Sequence, residues 1–223
     1  QLITNKMKTF SLNATPRTDL GKSASKALRA EDKVPAVING GKPVELPYNG
    51  ELKAGQKLVE IANGKGVIVT DLAINVADVR NLIYTPEIFV IDLTIEGQAA
   101  PVKAVLKDLQ FHPVSDALLH IDLLEVNDSE PVVMEVPVKL EGHAAGVKAG
   151  GKLNLMMKKL KVKALYNNIP EKIVVNIDNI QLGQSLKIGE LHYEGLELIN
   201  SKNAVVCAVQ LTRAARGAQA TAQ

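Results

Sequence analysis

Short runs of Val, Ile and Leu alternating with polar residues recur through this chain. A period of two sends successive side chains to opposite faces of an extended backbone, so such runs predict strands with one face buried. The alternation is strict at 160–164, LKVKA, and a further strong strand is predicted at 86–96, PEIFVIDLTIE. Aromatic residues make up only 3% of the chain and Trp is absent, so a core drawn from the 46% of hydrophobic residues must rest on Val, Ile, Leu and Ala. β-Branched side chains pack well on a pleated surface. The 223 residues suffice for one large domain or two ordinary ones.

Strands are also predicted at 8–15, 34–39, 101–109 and 117–126, with a short one at 43–47 and a β-rich run at 66–69. Two stretches read as helices: 21–32, rich in Ala, Lys, Leu and Arg, and 75–82, with Asn75 in the N-cap position. Residues 127–131, NDSEP, read as a linker. Beyond it strands are predicted at 132–140, 160–165, 172–177 and 204–211, with a Gly-rich loop at 142–151 and little helix signal. The expectation is a mostly β chain with short helices (α+β), divided into domains at 7–126 and 127–213, with a disordered tail at 214–223. Met7 is a candidate initiator, with 1–6 upstream of it.

The net charge of +2 is only mildly basic, so a nucleic-acid partner would require cations concentrated in one place. The lone Cys207 sits in the apolar run AVVCAV and reads as a small buried hydrophobe, which suits a reducing cytoplasm. No apolar run approaches the ~20 residues that a membrane-crossing helix needs, and residues 1–8 lack a signal-peptide core.

Such a concentration occurs in the first predicted helix. Lys22, Lys26 and Arg29 recur at i, i+4 and i+7, which places three cations on one helical face, with Ser25 one turn before Arg29 and Arg17 just upstream. A strip of this kind suits a phosphate backbone, whose condensed counterions each cation can replace; it also suits an ordinary solvated face. A second, polar group comprises Gln110, His112, His120 and Asp122. His120 and Asp122 are two apart in a predicted strand and share a face, opposite to that of Ile121. They fit base edges and 2′-hydroxyls, or a structural pair in which Asp122 orients His120.

These residues carry a family resemblance. Arg17 with GKSASKALR at 21–29 and VPAVINGG at 34–41 resembles the N-terminal signature of the bacterial 5S-rRNA-binding ribosomal protein family, to which the general stress protein Ctc belongs. KDLQFHPV at 107–114 followed by LHIDLLEV at 119–126 resembles its second signature, and 146–153 with 160–165 is similar to the C-terminal domain of its long form. The resemblance spans about 8–211 and implies an N-terminal β-barrel on the minor groove of an internal loop of 5S rRNA, followed by an all-β domain. It implies RNA contacts at Arg17, Lys22, Ser25, Lys26, Arg29, Gln110, His112, His120 and Asp122, the large ribosomal subunit as the setting, neighbouring ribosomal proteins as partners of the second domain, and no cofactor or small-molecule substrate. Two positions depart: Ala27 stands where a second consecutive Arg is common, and Asn39 where a Tyr is common before Gly-Gly. The stretch 48–74 is longer than in short members. The alternative is a stress-response or protein-interaction module that does not depend on RNA.

Other chemistries find little support. GVKAGGK at 146–152 nearly spells a phosphate loop, but Leu153 replaces the hydroxyl residue that holds magnesium. His112, His120, His143 and His192 lack zinc-site spacing. No nucleophile–base–orienter set can be assembled, so no catalytic residue is expected. Glu125, Asp128 and Glu130 cluster at the linker, where solvent exposure is expected.

Overall fold

The computed structural model describes residues 7–41, 43–45, 48, 50–62, 65–98 and 100–212. It contains two compact units, Met7–Glu130 and one that begins at Pro131.

The strands of the first unit are β1 (Lys8–Pro16), β2 (Lys33–Gly40), β3 (Val44–Glu45), β4 (Gln56–Ala62), β5 (Lys65–Asn75), β6 (Phe89–Ile95), β7 (Val102–Phe111) and β8 (Leu118–Glu125). Helix α1 (Lys22–Ala30) follows β1, and α2 (Val76–Ile83) follows β5. The order β1-β6-β7-β8-β2-β5, closed by pairing of β5 with β1, makes a barrel. The β1·β6 and β2·β8 pairs are parallel and the others antiparallel. Alternation supplies the core: Leu12, Val34, Ala36, Ile74, Ile91, Leu93, Ile121 and Leu123 are buried, and α2 adds Val79 and Leu82 to the same cluster. Closure gives each of these six strands a neighbour on both sides, so none is a free edge strand of the kind a β-rich chain must otherwise protect.

β5 is longer than the barrel needs. Its second half, Thr70–Asn75, pairs with β2, while its first half pairs with β3 and forms a hairpin with β4. The described part of 48–74 is thus mainly a hairpin continuous with a barrel strand. Of the strand predicted at 43–47, Val44–Glu45 is observed; 46 and 47 lie outside the described residues, as does the tail at 214–223.

Asn75 occupies the N-cap of α2, yet its side chain does not cap the helix. Its Nδ2 donates to Asp78 Oδ2 at 3.3 Å, and the Val76 amide donates to the Asp32 carbonyl at 3.0 Å. A distant carbonyl thereby takes the role of the cap, because any acceptor in the right place satisfies an orphan amide.

The second unit holds two sheets. One has the order β12-β9-β11-β14, with β9 (Val132–Glu141), β11 (Lys159–Ala164), β12 (Ile173–Asn176) and β14 (Glu197–Leu198); the other has the order β10-β15-β13, with β10 (Lys152–Leu155), β13 (Ser185–Lys187) and β15 (Val205–Gln210). β11 buries Leu160, Val162 and Ala164 and exposes Lys159, Lys161 and Lys163, as its alternation predicts. Cys207 is buried, and burial pushes its thiol above the usual range, so it acts as packing.

The Gly-rich stretch at 142–151 is not only a loop. It contains a single helical turn, α3 (Ala145–Lys148), whose Gly146 packs so closely that a Cβ there would stand 2.6 Å from the backbone of Gln181 and Leu182. The amides of residues 146–151, in the near phosphate loop, are all engaged inside the chain. Gly146 donates to Ile180, Val147 and Lys148 to Ala144, Ala149 to Ala145, Gly150 to Val147, and Gly151 to Gly146. No cradle of free amides remains for a phosphate.

Candidate nucleic-acid interface

α1 has no buried residue. Lys22, Lys26 and Arg29 are exposed, while Ser25, Ala24 and Leu28 are half-buried on the side that meets β2. Its first turn carries no acid, and its N-cap is Gly21 at φ +112°, with no side-chain cap. Acids would stabilise that end, where the helix dipole is positive, and Lys22 opposes it. The arrangement sacrifices a little helix stability and sums the helix field with that of Lys22 and Lys26. Among the described residues neither lysine has an ion-pair partner.

Arg29 differs from the lysines. Its Nε and Nη2 donate to the carbonyl of Leu119 in β8 at 3.2 and 2.8 Å. This links the helix to the strand that bears the polar group, one residue before His120. Arg17 continues from β1: its Nη2 donates to the Asp19 carbonyl at 3.1 Å and to Ser25 Oγ at 3.4 Å, so Arg17 and Ser25 meet at the base of the helix.

The polar group lies along the β7–β8 hairpin. Gln110 stands opposite His120, and Asp122 lies between Asp108 of β7 and Val37 of β2 in the register. A register shift on either side of these pairs marks bulges in β7 and β8, which are common where side chains are re-aimed at a site. Ile121 and Leu123 are buried, whereas His120 and Asp122 are half-buried and Gln110 is exposed. His120 Nδ1 lies 2.9 Å from Asp122 Oδ1 but is not aligned for a hydrogen bond, which leaves carboxylate lone pairs for an outside donor. His112 is set by the hairpin turn. The amides of Val114 and Ser115 donate to its Nδ1 at 3.3 and 3.2 Å, which puts the ring proton of the neutral form on Nε2.

All nine residues singled out in the sequence therefore belong to the first unit, in two groups joined by Arg29. Of the two departures, Ala27 is exposed on α1, and Asn39 is half-buried in β2 opposite Leu124. Glu125, expected to be solvent-exposed, is half-buried at the end of β8 against Gly40 and Gly41. A Cβ on Gly40 would lie 3.0 Å from the Glu125 carbonyl oxygen, and one on Gly41 2.9 Å from its Oε2. Burial raises the Glu125 carboxyl above the usual range. Both glycines have positive φ, +108° and +82°, so neither the conformation nor the space suits a side chain. Nothing in the sequence around Glu125 signals this close approach except the Gly-Gly pair itself.

Among the described residues no group of three or more His, Cys, Asp or Glu could hold a metal, and no helix is long and apolar enough to cross a membrane.

Comparison with known proteins agrees with this architecture. The model of the ribosomal L25p family matches residues 12–63 and 51–123, two stretches that meet at the β4 region, and the model of the ribosomal protein TL5 C-terminal domain matches 131–213. A large ribosomal subunit protein bL25 of Porphyromonas gingivalis is 55% identical over 212 residues, which cover 95% of this chain and 97% of that protein. The protein of the same name from Phocaeicola vulgatus is 52% identical over 97% of this chain and 99% of its own length, and that of Azobacteroides pseudotrichonymphae is 40% identical over 94% and 97%. The chain belongs to the ribosomal L25p family of structural, non-enzymatic ribosomal proteins, in the form that carries a TL5-type C-terminal domain.

Proposed function

We propose that this chain is a structural protein of the large subunit of the cytoplasmic bacterial ribosome, and that its barrel holds an internal loop of 5S rRNA. Lys22 and Lys26 dock on phosphates, Arg17, Ser25 and Arg29 shape the base and the far end of that strip, and Gln110, His112, His120 and Asp122 read the groove beside it. The observation that carries the reading is the Arg29–Leu119 contact, which joins the cation strip to the polar strand face. Phosphate contacts position a protein on nucleic acid, and contacts to base edges specify the site. The wide, shallow minor groove of an RNA helix is within reach of a strand surface, which cannot enter its deep major groove. The domains follow the two units, and the second is available to ribosomal neighbours.

The test is titration of the purified chain with 5S rRNA over a range of salt, beside a control RNA that lacks the internal loop. Tight binding that prefers the intact loop and weakens steeply with salt is expected, and Lys22→Ala should lower the salt slope by roughly one. Binding indifferent to the loop, or a slope unmoved by Lys22→Ala, would remove the barrel surface from consideration.

A further inference from the structure

The hairpin of β4 and β5 has no part in the reading above, yet its base is locked to one of the candidate RNA contacts. β1 pairs with β5 through Pro16 and Leu72, and the ladder continues by one rung: the Arg17 amide donates to the Asp71 carbonyl at 2.9 Å. Asp71 in turn donates its amide to the Gly55 carbonyl at 2.8 Å. Gly55 precedes β4, has φ +78°, and is wedged against this rung. A Cβ there would lie 2.9 Å from the Asp71 carbonyl oxygen and 3.0 and 3.1 Å from the backbone oxygen and nitrogen of Arg17. These neighbours are backbone atoms and cannot turn aside as a flexible side chain does, and the positive φ adds strain for any other L-residue.

The side chains tighten the same place. Lys57 Nζ lies 2.7 Å from Asp71 Oδ2, an oxygen that is buried and has no hydrogen bond aligned to it. Lys57 is thus the counter-charge of a nearly buried carboxylate, and it holds β4 to β5 just above Gly55. On the far side of the rung the Arg17 guanidinium reaches Ser25 Oγ and the Asp19 carbonyl, at the base of the cationic helix.

We propose that the hairpin belongs to the RNA-binding apparatus: Gly55 and the Lys57–Asp71 pair are positioning residues that clamp the Arg17 backbone and so aim its guanidinium at the RNA. The inference rests on the 5S rRNA reading. A long flexible side chain at the end of a strand loses affinity to conformational entropy unless its backbone is fixed before binding. The clamp supplies that fixation, and it gives the longer 48–74 stretch a role at the interface.

The experiment measures 5S rRNA affinity and salt slope for the wild type and for Gly55→Ala, Lys57→Gln, Arg17→Ala and the double variants with Arg17→Ala, with Lys22→Ala as the control on the parent reading. Arg17→Ala should weaken binding about tenfold and lower the slope by roughly one. Gly55→Ala should reproduce most of that loss. In the Arg17→Ala background Gly55→Ala and Lys57→Gln should change affinity less than twofold, because there is no guanidinium left to aim. Lys57→Gln removes one positive charge but no clamp glycine, so it keeps the test open if Gly55→Ala does not fold. Full additivity of either variant with Arg17→Ala would overturn the proposal, as would wild-type affinity in a folded Gly55→Ala. Loss of affinity in Lys22→Ala with none in Gly55→Ala or Lys57→Gln sinks this inference alone, whereas no loss in Lys22→Ala sinks the parent reading.

Discussion

Arg29 of α1 places two guanidinium donors on the single carbonyl oxygen of Leu119 in β8, at 3.2 and 2.8 Å. The contact makes Arg29 a tie between helix and barrel as well as a cation. Arg29→Lys keeps the charge but cannot repeat the forked geometry. Denaturant unfolding of Arg29→Lys is expected to show a loss of about 1 kcal/mol. Its 5S rRNA affinity should fall while the salt slope stays near that of the wild type, since the charge count is unchanged. Unchanged stability in the same unfolding experiment would mean that the contact does not hold the helix.

Ala27 points to a gain of function. It is exposed on α1, with Lys26 beside it and Lys22 more than one turn back. An arginine there meets no packing obstacle and adds a cation to the exposed surface of the helix, about 100° around from Lys26 and beside the strip rather than on it. Ala27→Arg is expected to tighten 5S rRNA binding several-fold, raise the salt slope by roughly one, and leave stability within about 0.5 kcal/mol. Unchanged affinity in the same titration would show that this part of the helix does not face the RNA.

Asp122 separates affinity from selectivity. Its carboxylate is half-buried beside His120 without an aligned hydrogen bond from it. Asp122→Ala should cut the preference for the intact loop over the loop-less control about tenfold, with the salt slope retained. Equal losses on both RNAs would assign Asp122 to the support of the strand face.

Glu125 sets a pH dependence of stability. Burial raises its carboxyl above the value it has in the unfolded chain, so the folded state binds the proton more tightly than the unfolded state. The stability tied to Glu125 is therefore present below the unfolded pKa and is lost as pH rises through the folded one. Glu125→Gln is neutral at every pH and should raise the unfolding midpoint at pH 7. That gain should shrink to nothing in acid, below the usual carboxylate range. Thermal unfolding of both proteins across pH 3–8 checks it; a gain that persists in acid would have another cause.

The amino-acid pattern by itself determined the β-rich class, the first helix and the change of character near 127–131, and it singled out nine polar residues as candidates. Period-two burial and helical spacing are local properties, and they survive folding because each element must bury its own apolar face. The strict alternation at 160–164 appears as β11, with Leu160, Val162 and Ala164 buried. The two-residue β14 and three-residue β13 could not be read, because strands so short carry no period and exist only where a neighbour offers its edge. Tertiary structure alone decided that Arg29 reaches Leu119, 90 positions away, that Asp32 caps α2 in place of Asn75, and that Glu125 is half-buried against Gly40 and Gly41. It also decided that Gly55 packs against the backbone of Arg17. Each of these depends on strand pairings distant in sequence, β2 with β8, β2 with β5 and β1 with β5, and no short window of sequence records which strand edges will meet.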